Sequence, residues 1–290
     1  MKTIPSLAGK VAVVTGASRG VGAGIATLLG EQGATVYVTG RTTASKPGIT
    51  PGTISEVANS ITRAGGVGIA VVCDHADDAQ IKALFERVKA EHGHLDILVN
   101  NATALGPDPL VPPPFWNKSL TISEQLTVGL RSAFVASYYA APLLIAADGA
   151  LVVNVSSHGA VSYHLDPAYG ATKAGLDKLT FDMAQDFKPY KVAVVSIWPG
   201  PTATERAKSV LAKIPGGGKK LESAETPKFS GLAIASLYSD PQLMSKSGSV
   251  VIASEAALEY RFKDLNGRQP SRFRGQKGFP RPSSRRIHLS

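Results

Sequence analysis

Tyr169 and Lys173 stand four residues apart in the run Tyr-Gly-Ala-Thr-Lys, a spacing that puts a phenol and an ammonium on one face of a helix. An unperturbed tyrosine titrates near pH 10, too high for proton transfer at neutral pH. A fixed cation one turn away stabilises the phenolate and is expected to lower that value. Among eight tyrosines only Tyr169 has a lysine at this spacing; Tyr163, its nearest rival, has Pro167 there. Just upstream lies Asn154-Val155-Ser156-Ser157-His158-Gly159. A serine hydroxyl there can donate to a carbonyl oxygen as negative charge builds on it, and capping of the next segment is the structural alternative. His158 and His164 read as surface histidines of a loop.

A second constellation opens the chain. Thr15-Gly16-Ala17-Ser18-Arg19-Gly20-Val21-Gly22 joins a short apolar run to a segment of helical period. Glycines there let the backbone turn sharply and approach a pyrophosphate, which sits at the positive end of the helix. Gly16, Ser18, Arg19, Gly20, Val21 and Gly22 are therefore candidate contacts to a dinucleotide. The next apolar run ends in Thr39-Gly40-Arg41, where such sites usually carry an acid for the adenosine 2′-hydroxyl. Arg41 stands there instead, and with Arg19 it is expected to converge on a 2′-phosphate, favouring NADP(H) while leaving NAD(H) open. Asp74 follows the third run, placed to accept from an adenine amino group or to cap the next segment.

These residues need a scaffold, and the apolar pattern supplies one. Strands are expected at Val11–Thr15, Thr35–Thr39, Val67–Val72, Leu95–Val99, Leu151–Val155, Val192–Ile197 and Gly248–Ile252. Helices are expected at Val21–Gln32, Ser55–Ala64, Asp77–His92, Ser123–Ala147, Ala168–Phe187 and Phe229–Tyr238. Such alternation implies right-handed crossovers and a single doubly wound α/β domain, with a seven-stranded parallel sheet covered by helices on both faces. Residues 104–117 and 201–226 break the alternation. Each follows a strand's carboxyl end, where open sheets bind ligands, so both read as substrate loops.

Composition narrows the classes further. Apolar residues make up 43% and charged residues 18% of the chain, which excludes a disordered or fibrous protein. The single cysteine excludes a disulfide framework and a cysteine-rich metal site, and no metal ligand set is expected. The net charge of +9 is concentrated at one end: residues 266–290 hold seven basic residues and no acid, leaving +2 for residues 1–265. The domain is therefore expected at 1–265 with a solvated basic tail at 266–290, and no nucleic-acid partner. The start of the chain lacks a signal-peptide pattern, and the apolar stretch Ala133–Ala147 is short for a bilayer, so no membrane span and a cytoplasmic location are expected.

Taken in order, the Thr15–Gly22 loop, Asp74, Asn100-Asn101-Ala102, Ser156-Ser157, Tyr169-x-x-x-Lys173 and Pro199-Gly200 with Thr204 resemble the short-chain dehydrogenase/reductase superfamily. The resemblance runs from about Gly9 to Ile252. Finer features are similar to the subgroup called dehydrogenase/reductase member 1: Val128-Gly129-Leu130-Arg131, Ser156-Ser157-His158-Gly159, Trp198-Pro199-Gly200 and Leu265-Asn266-Gly267-Arg268-Gln269-Pro270. The resemblance implies interconversion of a ketone or aldehyde and an alcohol by hydride transfer with a nicotinamide cofactor. It makes Tyr169 the acid/base and gives Lys173 the nicotinamide ribose. Asn101 and Ala102 would line the cofactor cleft, and Pro199, Gly200 and Thr204 would position the nicotinamide amide. It also implies a small-molecule substrate and a homo-oligomer, a dimer or tetramer, built on the two long helices.

Two departures from that pattern stand out. Thr103 replaces the glycine usual after Asn-Asn-Ala, and Gly129 replaces an asparagine that holds a relay water. The serine is also open: counting back from Tyr169 gives Ser156, whereas matching the strand's Asn-x-Ser-Ser pattern gives Ser157. Ser157 is preferred, because loops absorb a deletion more easily than buried strands. Gly129 keeps one alternative alive, a catalytically weak dinucleotide-binding regulatory or scaffold protein. A second alternative, nucleic-acid binding by the basic tail, predicts strongly salt-dependent affinity.

Overall fold

A computed structural model describes residues 4–46, 48, 50–106 and 113–271. Seven strands form one sheet: β1 (Val11–Val14), β2 (Thr35–Gly40), β3 (Val67–Val72), β4 (Ile97–Asn100), β5 (Ala150–Val155), β6 (Val192–Trp198) and β7 (Val250–Ile252). All pairs are parallel, in the order β3-β2-β1-β4-β5-β6-β7. The seven-stranded doubly wound sheet expected from the sequence is the fold observed. β1 pairs with β2 on one side and β4 on the other, so consecutive crossovers leave in opposite directions there. In sheets of this topology the ligand crevice lies beyond the carboxyl ends of those strands.

Period-2 alternation sorts the strand side chains between two cores. Ala12, Val14, Val36 and Val38 face α1 (Gly20–Glu31) and α2 (Ile54–Arg63), through residues such as Ile25, Leu29 and Ile61. Val11, Val13 and Leu98 face α3 (Asp78–His92) and α4 (Ser132–Ile145), through Phe85, Val88 and Leu143. α5 (Pro167–Phe187) joins the second face with Phe187. Side-chain caps start several of these helices: Thr53 and Glu56 form a reciprocal box on α2, Asp77 caps α3, and Asp166 caps α5.

The structure departs from expectation in four places. The helix expected over Ser123–Ala147 starts as a π-helical segment at Gln125–Arg131 and becomes α-helical only at Ser132. Such widened turns insert a residue and often lie at functional sites. The segment 201–226, expected as a loop, carries α6 (Glu205–Leu211) and α7 (Gly217–Ser223). Thr204 starts α6 by accepting from the Ala207 N–H at 3.1 Å. After α8 (Phe229–Tyr238) and β7, a further helix α9 (Ala253–Glu259) closes the domain; its Ala256 and Ala257 are buried under the first core. Finally, the helical run Leu120–Ile145 is 26 residues long and, by length and composition, apolar enough to cross a membrane. Here it packs on the sheet, with 56% of its most apolar window buried.

Residues 107–112, with Leu110 and Val111 of the first substrate loop, lie outside the described residues, as does the tail beyond Ser271.

Candidate active site

β5 is followed directly by two serines whose side chains diverge, as successive extended residues must. Ser156 Oγ turns inward and donates to the Lys173 carbonyl at 3.1 Å. Ser157, the extended cap of a short 3₁₀ turn at His158–Ala160, accepts from the Gly159 N–H at 3.1 Å. Its Oγ lies 2.9 Å from Tyr169 Oη. Gly159 permits this approach, because a Cβ there would stand 2.6 Å from Tyr169 Cε1.

Tyr169 sits in the first turn of α5, its N–H held by Asp166 at 2.9 Å. Lys173, one turn on, is buried, and its Nζ donates to the Val155 carbonyl at 2.8 Å while standing 5.5 Å from the centre of the Tyr169 ring. The expected lowering of the tyrosine pKa by this lysine is corrected here. Burial raises Tyr169 above its ordinary value, and the opposing influence is the Ser157 hydrogen bond. Burial also lowers the Lys173 ammonium to about 8, with Asp177 acting against it. Low dielectric disfavours both charged forms, so the pair rests as phenol and a weakened cation.

Sequence reasoning missed the groups that hold this pair in place. Asp166 is buried and gathers the Tyr169 N–H, Lys118 Nζ at 3.2 Å and Gln125 Nε2 at 3.3 Å. It thereby ties the substrate-loop side to the head of α5. Asp177 accepts from Ser196 Oγ at 2.5 Å and from Trp198 Nε1 at 3.2 Å. His164 lies edge-on to Tyr169, 5.5 Å between centroids, and 4.8 Å from His158. The signal that could have found Asp166 is its place before Pro167, a cap followed by proline at the first helical position.

At the β1–α1 turn, Gly16 (φ +63°) and Gly20 (φ +61°) take left-handed backbone angles. A Cβ on Gly16 would stand 2.7 Å from Ala102 Cα, and one on Gly22 would stand 2.2 Å from Asn101 Nδ2. Asn101 braces this turn: its Nδ2 donates to the Thr15 and Gly16 carbonyls at 2.9 and 3.0 Å. Its own N–H and that of Ala102 both donate to Thr15 Oγ1. Ser18 is buried and Val21 half-buried beside them. Arg19, extended before α1, supplies no side-chain cap, and the first helical turn holds no acid. The positive end of α1 therefore has neither a side-chain cap nor an acid of its own first turn, the setting in which an anion belongs.

Arg19 and Arg41 do not converge as expected. Arg19 Nη2 donates to the Gly52 carbonyl at 2.8 Å and Nη1 to Thr50 Oγ1 at 3.3 Å. A backbone carbonyl within reach of the guanidinium fork holds it over the 50–52 turn. Arg41, half-exposed at the end of β2, faces Asp74 Oδ2 at 3.5 Å. Asp74 also accepts from the Ala76 N–H at 3.0 Å, the capping role named as its alternative.

At the far side, Pro199 and Gly200 leave β6 half-buried. The Gly200 N–H donates to Glu225 Oε2 at 2.9 Å, and Thr202 and Glu225 form an isolated parallel bridge that closes the neck of the 201–226 segment. Glu225 is buried, and its Oε1 has no hydrogen-bond partner among the described residues. Burial pushes its carboxyl up to about 8; the Gly200 N–H pulls the other way, and the Asp264 charge adds to the rise. Gly129 lies on the π-helical segment with α5 directly over it, since a Cβ would stand 2.7 Å from Thr172 Cγ2.

The constellation lines one crevice with an anion-accepting turn on one flank and a paired serine and tyrosine on the other. The residues present fit a nicotinamide dinucleotide. Among the described residues no group of three or more His, Cys, Asp and Glu side chains could hold a metal ion.

Comparison with known proteins points the same way. A family model described as short chain dehydrogenase matches residues 10–215. The chain is 38% identical over 278 residues to dehydrogenase/reductase SDR family member 1 of Mus musculus, covering 91% of this chain and 86% of that protein. Its Homo sapiens namesake is 37% identical over 273 residues, with 90% and 84% covered. Among solved structures, a dehydrogenase/reductase from Sinorhizobium meliloti 1021 superposes with a TM-score of 0.69 at 30% identity, over 85% of this chain and 94% of that one.

Proposed function

The chain belongs to the short-chain dehydrogenase family, and on that footing we propose that it is an NADP(H)-preferring oxidoreductase that interconverts a ketone or aldehyde and an alcohol. The family works with NAD(P)(H) on small molecules; the choice of cofactor, the substrate class and the residue roles are our reading. The observation that carries it is the 2.9 Å approach of Ser157 Oγ to Tyr169 Oη with buried Lys173 one turn away.

Bound in the crevice, the nicotinamide would donate or accept the hydride. Ser157 would donate a hydrogen bond to the substrate oxygen, keeping its own proton, and hold that oxygen against Tyr169. Tyr169, kept protonated past neutral pH by burial, would give its proton to that oxygen in reduction and take it back in oxidation. Lys173 would hold the nicotinamide ribose and stabilise negative charge on the phenol oxygen. The turn from Gly16 to Gly22 would receive the diphosphate, while Pro199, Gly200 and Thr204 would flank the nicotinamide. NADP(H) is favoured by Arg41 and by the lack of an acid at the end of β2. Assembly as a homo-oligomer, through exposed positions of α4 such as Phe134 and Tyr138, belongs to the same reading.

Nicotinamide fluorescence during titration with NADPH and NADH tests the reading. Tight NADPH binding, weakened mainly for that cofactor by Arg41→Ala, is expected. Tyr169→Phe should then retain binding while losing carbonyl turnover. Retained turnover would refute the role given to Tyr169, and wild-type protein that binds neither nucleotide would remove the oxidoreductase reading.

A further inference from the structure

One contact places an acid where an oxidoreductase of this kind needs an open anion site. The Gly20 N–H, at the head of α1, donates to Glu205 Oε2 at 2.9 Å across 185 residues of chain. Glu205 is the first residue of α6, in the segment 201–226 whose neck is the Thr202–Glu225 bridge. Its neighbour Thr204 packs on the same turn, where a Cβ on Gly20 would stand 3.5 Å from Thr204 Cγ2. The positive groups facing this carboxylate are the head of α1 and Arg19, whose guanidinium feels the Glu205 charge. On the other side of Glu205, Arg206 clasps the first substrate loop. Its Nη2 donates to the Gly106 carbonyl at 2.7 Å and its Nη1 to that of Leu105 at 3.4 Å.

A dinucleotide presents a diphosphate, with its charged oxygens, to the same backbone N–H groups at the positive end of a helix. A carboxylate and a phosphate cannot share one N–H, and like charges so close repel. We propose that Glu205 is an internal competitor for the cofactor's diphosphate: its carboxylate occupies the Gly20 N–H and must turn away when a dinucleotide binds, while Thr204 stays beside the turn. This inference rests on the dinucleotide-binding reading and adds a residue that sets cofactor affinity.

The test is titration of the full chain with NADPH and with NADH, for wild type, Glu205→Gln and Glu222→Gln. Glu205→Gln keeps the side chain's shape and a weaker acceptor but removes the charge. It should tighten both nucleotides about tenfold, because both carry the diphosphate and a charged hydrogen bond no longer has to be broken. Glu222→Gln, on exposed α7, changes net charge equally and should leave both affinities where they were. Melting without nucleotide checks that each variant is folded, and Glu205→Ala repeats the affinity test with the acceptor removed altogether. Wild-type binding with no tightening in either Glu205 variant overturns the inference and leaves the oxidoreductase reading intact. Equal tightening by Glu222→Gln overturns it too, by reducing the effect to net charge. If neither wild type nor Glu205→Gln binds a nucleotide, the oxidoreductase reading itself fails.

Discussion

Ser157 Oγ and Tyr169 Oη stand 2.9 Å apart, while Ser156, one residue earlier, spends its hydroxyl on the Lys173 carbonyl at 3.1 Å. The end of β5 therefore offers one serine to the crevice and one to the packing of α5. Ser157→Ala should lower kcat by about 10² or more, the range found when one donor to a developing oxyanion is removed. Ser156→Ala should instead cost about 1 kcal/mol of stability, the typical contribution of a hydrogen bond, with turnover nearly kept. Steady-state kinetics and urea unfolding on the two variants separate these effects. The reverse pattern would return the role to Ser156.

Glu225 makes stability depend on pH in a defined direction. Its carboxyl moves from an ordinary value near 4.5 to about 8 in the folded chain. Between those values the folded state holds a proton that the unfolded state has released. The contribution is whole below pH 4.5 and is lost as pH rises through 8, at up to about 1.4 kcal/mol per unit. Glu225→Gln keeps an acceptor for the Gly200 N–H and cannot titrate. Its unfolding free energy relative to wild type should rise from pH 5 to pH 8. A constant difference across that range would show that Glu225 is ionised when folded.

Gly129 occupies the place where the family usually has an asparagine, and the packing shows what a side chain would meet. Its Cβ would stand 2.7 Å from Thr172 Cγ2, a β-branched side chain that is itself fully buried. Gly129→Ala and Gly129→Asn should each destabilise by about 1–3 kcal/mol, the usual cost of overpacking, and neither should raise turnover. Thermal melting alongside kinetics decides. A Gly129→Asn protein that is stable and faster would show that the glycine limits the proton relay.

What the sequence determined by itself was local and periodic. Short continuous apolar runs specified strands buried on both faces, and the helical segments between them specified crossovers and a parallel sheet, because periods of 2.0 and 3.6 are fixed by backbone geometry. The Gly16–Gly22 turn and the Tyr169–Lys173 pair are legible for the same reason, each lying within two helical turns of chain. The segment 201–226 hid α6 and α7 because seven-residue helices are too short to show a period and rest on caps and neighbours.

Tertiary structure decided the contacts between sequence-remote residues. Glu205 meets Gly20, Asp166 meets Lys118, and Glu225 meets Gly200 because the sheet brings the carboxyl ends of its strands to one edge. It turned Arg19 to the Gly52 carbonyl and Arg41 to Asp74, although the sequence put both near one phosphate. It also reversed the direction of the Tyr169 shift: spacing shows how near the cation is, but only the packed chain shows how little water remains around the phenol. In that setting desolvation outweighs the Ser157 hydrogen bond, the one influence that opposes it.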